Sequence, residues 1–207
     1  MVQLVVGATN PACRELLTKM FRQRYEIFVK EMGWNVTSDN GLEYDQYDTD
    51  HTVYTIDLDR DGNVAASTRF VSTDQPFMLA DVFADMCERE IPRTSKCWEL
   101  SRGAMSKNLR RSGHYGRIQC ALLEAALLFG VNQGCGIFTV ELLMSKIRYG
   151  LPATPLGQPK DIDGEPHVAA EFPLTGDMLE RTRALFKTKG PVIEHIYLMP
   201  EQQKAAA

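Results

Sequence analysis

Metal-ligand patterns and disulfide patterns are both missing from this sequence. Its 207 residues include five cysteines, Cys13, Cys87, Cys97, Cys120 and Cys135, with no C-x-x-C pair and no cysteine–histidine cluster. Zinc modules of the usual spacing are thereby excluded, and no metal site is expected. An odd, unpatterned set of thiols fits a reducing compartment better than a disulfide framework. Long apolar runs are missing too: the longest, residues 120–131, is interrupted by Glu124 and is too short to span a bilayer. The opening MVQLVVGATNP has neither a basic leader nor a long apolar stretch, so no signal peptide is expected and a cytoplasmic location is. There is no large excess of one charge. With 23 Lys+Arg against 27 Asp+Glu, the net charge of −4 suggests neither nucleic acid nor an anionic membrane as a partner.

What is present fits one domain over residues 1–207, with 44% hydrophobic and 24% charged residues. Val2–Val6 reads as a buried strand closed by Gly7, and residues 11–31 carry apolar side chains at helical spacing. Residues 34–50, rich in Thr, Ser, Asp, Asn and Gly, read as a loop over the site. Strands follow at 52–58 and 63–72, joined by the hairpin signal Asp61-Gly62. A helix is predicted over 78–90, a strand over Cys97–Met105, and a basic turn KNLRRSGHYGR leads into a helix at 116–132. A strand at 136–140, a helix at 141–149, a strand pair turning at Asp163-Gly164 and an amphipathic helix at 176–187 complete the order, with a tail at 201–207 expected to be disordered. This is an α/β chain with a central mixed, twisted sheet flanked by helices, and it resembles the GNAT-like acyltransferase fold.

One constellation stands out. Arg24 and Phe28 are four apart on a helix and so share a face, and Trp34 follows Gly33, where the chain can turn. Asp45 and Asp48 lie in the acidic loop, and Arg69 and the run Trp98-Glu-Leu-Ser-Arg102 lie on strands. On a regular strand Glu99 and Ser101 point to one face, and Trp98, Leu100 and Arg102 to the other. Cation, aromatics and acids together suit a zwitterionic, purine-bearing ligand. The plain structural alternative is a buried ion pair, Arg69–Glu99 or Asp45–Arg102, because charge on a sheet is costly unless paired.

The spacing R-x-x-x-F-x-x-x-x-x-W-x-V, then E-x-D-x-Y-D, then Arg69 and W-E-L-S-R resembles the signature of the LuxI-type acyl-homoserine-lactone synthases. Phe83 is a possible ninth signature position, and Glu31 stands where many members carry a basic residue. The resemblance implies synthesis of a quorum-sensing N-acyl-L-homoserine lactone. Its substrates would be S-adenosylmethionine and an acyl group on acyl-carrier protein or coenzyme A, with no cofactor. Glu99 is then the candidate base, with Asp45 second, while Arg24, Phe28, Trp34, Asp48, Arg69, Ser101 and Arg102 bind substrate. Trp34, Asp45, Arg69 and Glu99 are expected to wall a single hollow. Leu100, Phe138, Thr139 and Leu142, with Met144 and Ile147, are expected along the acyl chain. Lys107, Arg110, Arg111, His114 and Arg117 are expected to meet phosphate or an acidic carrier protein. Two other readings stay open: an acyl-coenzyme A-dependent N-acyltransferase of the same fold acting on another amine, and a non-catalytic binding module.

Overall fold

The computed structural model describes residues 1–109, 113–148 and 150–205. The sheet runs β11-β1-β4-β5-β6-β7-β10-β8, with β9 on β10. Its strands are β1 (Val2–Val6), β4 (Val53–Leu58), β5 (Val64–Ser72), β6 (Cys97–Met105), β7 (Gln133–Thr139), β8 (Thr154–Pro155), β9 (Lys160–Ile162), β10 (Glu165–Pro173) and β11 (Ile193–Tyr197). β1–β11 and β6–β7 are parallel; the other pairs are antiparallel.

Side chains alternate across this sheet and build a core on each face. On one face, Val2, Leu4, Phe70 and Trp98 pack with α3 (His114–Leu128) and α5 (Gly176–Phe186). Beside them Phe138, Val168 and Ala170 pack with Leu143 of α4 (Val140–Arg148). On the other face, Val5, Tyr54 and Ile56 meet Leu17, Met20 and Phe21 of α1 (Arg14–Arg24). Val71, Cys97, Cys135 and Ala169 of the same face meet Phe77 and Leu79 at α2 (Met78–Asp81). Each such fully buried side chain contributes roughly 1.5–3 kcal/mol. All five cysteines are free, and among the described residues no helix is long and apolar enough to cross a membrane.

Four differences from the expected elements matter. The short helix predicted over 78–90 is shorter still, α2 and a 3-10 turn at Ala84–Met86, because Glu88 and Arg89 give their N–H groups to Leu156 O and are drawn out along the chain before β9. The loop at 34–50 contains a small hairpin, β2 (Ser38–Asp39) and β3 (Leu42–Glu43), turning at Asn40 and Gly41 with φ of 50° and 74°. Two left-handed residues in a row are what an Asn-Gly hairpin turn demands. Strand β11, with its three central residues exposed, was not foreseen because an edge strand carries little apolar patterning. Residues 200–205 form a short helix, α6 (Pro200–Ala205), within the tail expected to be disordered.

Two irregularities shape the site. α1 continues as a π-helix over Tyr25–Glu31, a widening often found at functional positions. The β6–β7 ladder stops after Glu99↔Cys135, although β6 runs on to Met105 and β7 to Thr139. Beyond that point the strands still approach at one place: a Cβ on Gly136 would stand 2.7 Å from Leu100 O.

Candidate active site

Three arginines and three carboxylates interlock on the α1 face of the sheet. Arg24, 1% exposed, reaches Glu43 from its Nε at 2.5 Å and grips Asp48 with both terminal nitrogens at 2.8 and 2.9 Å. Arg69 donates to Ser101 Oγ at 3.0 Å, Asp45 Oδ1 at 2.5 Å and Asp48 Oδ2 at 3.0 Å. Arg102 donates to Glu43 Oε1 at 2.9 Å and Asp45 Oδ2 at 2.8 Å. The loop is tied further by Tyr54 OH donating to Asp48 and by the Asp45 and Tyr47 N–H groups donating to Asp48 and Asp45. Burial alone would raise the Asp48 carboxyl, but the charges of Arg24 and Arg69 hold it down at about 2. Burial and then Asp48 push the Tyr54 phenol well above its ordinary range, so it stays a donor.

The pairing Asp45–Arg102 is therefore real, whereas Arg69–Glu99 is not the pair that forms. Glu99 accepts instead from two backbone N–H groups, Met78 at 3.1 Å and Leu79 at 2.6 Å, at the first turn of α2. Burial raises its carboxyl above the ordinary range, with those two N–H groups opposing the rise. It is a buried acid with no arginine hydrogen-bonded to it among the described residues. Such a group can gain and lose a proton more readily than Asp48.

Arg102 departs from the regular alternation. Its φ is 50°, and the β5–β6 register shifts between Ser67↔Ala104 and Arg69↔Ser101, so β6 carries an extra residue there. This bulge turns the Arg102 side chain onto the face of Ser101 and Arg69, where plain alternation sends it to the face of Leu100. The guanidinium also lies over the Phe28 ring, 5.8 Å from its centre, and reaches Met78 Sδ at 3.7 Å. Phe28 is stacked on Trp34 with ring centres 4.9 Å apart and planes 7° apart, and Trp34 N donates to Phe28 O past the end of the π-helix.

The four residues expected to wall a single hollow are linked on one face of the sheet. Asp45 and Arg69 bond directly, Glu99 sits one strand across, and Trp34 joins them through Phe28 and Arg102. The pocket beside Leu100 lies on the opposite face of β6, is a narrow cavity of about 50 Å³, and has none of Trp34, Asp45, Arg69 or Glu99 in its wall. Leu100 and Phe138 line it, with Leu122, Leu143, Phe172 and Met178. Thr139 and Leu142 do not. Thr139 Oγ1 accepts from Leu142 N and so caps α4, whose Leu143 packs on Val168 and Ala170 and, with Lys146, faces the pocket. Leu142, Met144 and Ile147 are then 39%, 47% and 38% exposed.

The basic turn is also less free than its charge suggests. Arg117 Nε and His114 Nδ1 both meet Asp57 Oδ2, at 3.0 and 2.7 Å, which fastens the start of α3 to β4. Lys107 pairs with Glu31 at 3.2 Å, so the residue that departs from the family pattern has a partner of opposite charge. Arg110 and Arg111 lie outside the described residues. Phe83 packs partly buried beside Leu79 and Met86, in the core beneath α2. The sequence reasoning missed Glu43, 0% exposed and shared by two arginines. Its signals were the first E of E-x-D-x-Y-D and the Asn-Gly turn that delivers it.

A mixed sheet whose central parallel pair comes apart beside a buried acid defines an acyltransferase-type fold. An acyl-CoA N-acyltransferase from Pseudomonas aeruginosa shares it with a TM-score of 0.56 at 18% identity, over 83% of this chain and 98% of that one. The family model described as autoinducer synthase matches residues 10–182, and the chain belongs to that family. The acyl-homoserine-lactone synthase of Pseudomonas aeruginosa is 28% identical over 180 residues, 84% of this chain and 87% of its own. BjaI, a CoA-dependent acyl-homoserine lactone synthase solved with SAM and isopentyl-CoA, superposes with a TM-score of 0.85 at 25% identity, covering 94% and 93%.

Proposed function

We propose that this enzyme makes an N-acyl-L-homoserine lactone from S-adenosylmethionine and an acyl thioester, releasing methylthioadenosine. The methionine amine attacks the thioester carbonyl, expels the thiol and forms an amide. The substrate carboxylate then displaces methylthioadenosine at Cγ and closes the lactone. The observation that carries this reading is the position of Glu99, a buried acid held by two backbone N–H groups where the β6–β7 ladder ends, between the ion cluster on one face and the apolar pocket on the other.

Each group has a task. An α-amino group titrates near ~8, so the base has only to remove a loosely held proton, and Glu99 takes it directly or through a water, the thiolate leaving group being protonated in turn. A positioned base of this kind accelerates the step by about 10²–10⁴. Asp45, held by Arg69 and Arg102, orders the loop and is the weaker candidate. Arg69 Nη2, buried without a partner among the described residues, is the donor for the substrate carboxylate. Trp34 and Phe28 face the sulfonium or the adenine. Backbone N–H groups of β6 beyond the ladder stabilise the tetrahedral oxyanion, and the acyl chain enters the pocket at Leu100 and Phe138. No cofactor or metal takes part, and the chain works in the cytoplasm. The likeness to a CoA-dependent synthase supports coenzyme A as the thiol carrier over acyl-carrier protein.

Incubation with S-adenosylmethionine and a set of acyl-coenzyme A thioesters tests this. Methylthioadenosine and acyl-homoserine lactone should appear in equal amounts. Acylation of another amine with no methylthioadenosine would assign the enzyme to a different N-acyltransferase activity.

A further inference from the structure

The acyl pocket is not a plain hydrocarbon slot. Into its apolar wall three helices each send a polar side chain: Gln119 from α3, Lys146 from α4 and Thr182 from α5. Thr182 is 1% exposed, and its Oγ1 has no hydrogen-bond partner among the described residues. Lys146 Nζ donates to Gln119 Oε1 at 2.8 Å. An ammonium carries three N–H bonds, so this contact leaves donors to spare. Lys146 is partly buried, and burial pulls its amine down to about 8. Holding an ammonium and an unpaired hydroxyl in such a wall costs free energy that a purely alkyl ligand returns nothing against.

We infer that the pocket accepts an acyl group bearing an oxygen, as oxo, hydroxyl or carboxylate, and that Lys146, oriented by Gln119 and assisted by Thr182, receives that oxygen. The assignment rests on the acyl-thioester reading above and adds the substrate class to it. All three side chains donate: Lys146 through its free N–H bonds, Thr182 through its hydroxyl and Gln119 through its amide nitrogen. An acyl oxygen is the acceptor that completes the set. Leu122, Leu143 and Met178 between them pack against the carbon chain.

The test compares kcat/KM for matched acyl-coenzyme A pairs of equal length, unsubstituted against 3-oxo, 3-hydroxy, terminal hydroxyl and terminal carboxyl. Wild type should prefer at least one oxygenated member over its unsubstituted mate by about 10–100-fold, the worth of one charge-assisted hydrogen bond. Lys146→Met should bring that ratio close to one, and Thr182→Val should lower it by about 3–10-fold. A wild-type preference for the unsubstituted thioester throughout overturns the inference, as does an unchanged ratio in Lys146→Met. Should Lys146→Met not fold, an unchanged ratio in Thr182→Val overturns it equally. Methylthioadenosine release separates the two layers. Release with no oxygen preference sinks only the pocket assignment, whereas no release with any thioester sinks the synthase reading beneath it.

Discussion

Replacing Glu43 by Gln is the sharpest perturbation of the ion cluster. The carboxylate is 0% exposed and meets Arg24 Nε at 2.5 Å and Arg102 Nε at 2.9 Å. Glutamine keeps the shape and one acceptor, but it turns the other oxygen into an amide donor facing a guanidinium N–H. Arg24, Arg69 and Arg102 then face only Asp45 and Asp48, leaving one buried positive charge without a counter-charge. Removing one partner from a buried pair costs about 3–5 kcal/mol, well above the roughly 1 kcal/mol of a neutral hydrogen bond. For a chain of this size each kcal/mol moves Tm by about 2–4 °C, so the midpoint should fall by about 6–20 °C. Urea unfolding followed by circular dichroism reads the free energy directly. The double variant Glu43→Gln/Arg102→Met removes a charge of each sign and should be at least ~1 kcal/mol more stable than the sum of the single losses. A single-variant loss below about 1 kcal/mol, or strict additivity in the cycle, would refute the view that this cluster clamps the loop to the sheet.

Acid should loosen the same clamp. Asp48 falls from an ordinary 3.8 to about 2 in the fold, so its contribution is fully present above pH 3.8 and is lost as pH drops through about 2. That difference corresponds to about 2 kcal/mol, and Asp48→Asn should flatten the stability curve across this window; an unaltered slope would contradict the assignment. Glu99→Gln should lower kcat by about 10²–10⁴ while changing the Kd for S-adenosylmethionine by less than about 3-fold, and a full-rate variant would remove Glu99 as the base. Trp34→Ala leaves Phe28 unstacked and should weaken S-adenosylmethionine binding by about 3–30-fold by calorimetry, with no loss expected only if the ligand sits elsewhere.

Much of the site was legible as spacing. Arg24, Phe28 and Trp34 follow from helical periodicity and a glycine stop, and the later Arg69 and Glu99 sit where a strand pattern puts them. Their partners were not legible. Glu43 hides in a segment with no hydrophobic period, and its hairpin is announced only by Asn40-Gly41. The wall of the apolar pocket was half legible, because the face of α4 that turns inward is the one whose Leu143 packs on Val168 and Ala170 of a strand far along the chain.

By itself the sequence determined most of the central strands and helices, the two-faced sheet and which charged residues had to find partners, because these depend on period and on the cost of burying charge. Only the tertiary structure decided who those partners are. The bulge at Arg102 reverses the face its guanidinium reaches, and the backbone N–H groups of α2, not an arginine, hold Glu99. Contacts between residues far apart in the chain arise from local backbone geometry and packing, and no residue pattern marks the positive φ at Arg102 as Asn-Gly marks the one at Asn40.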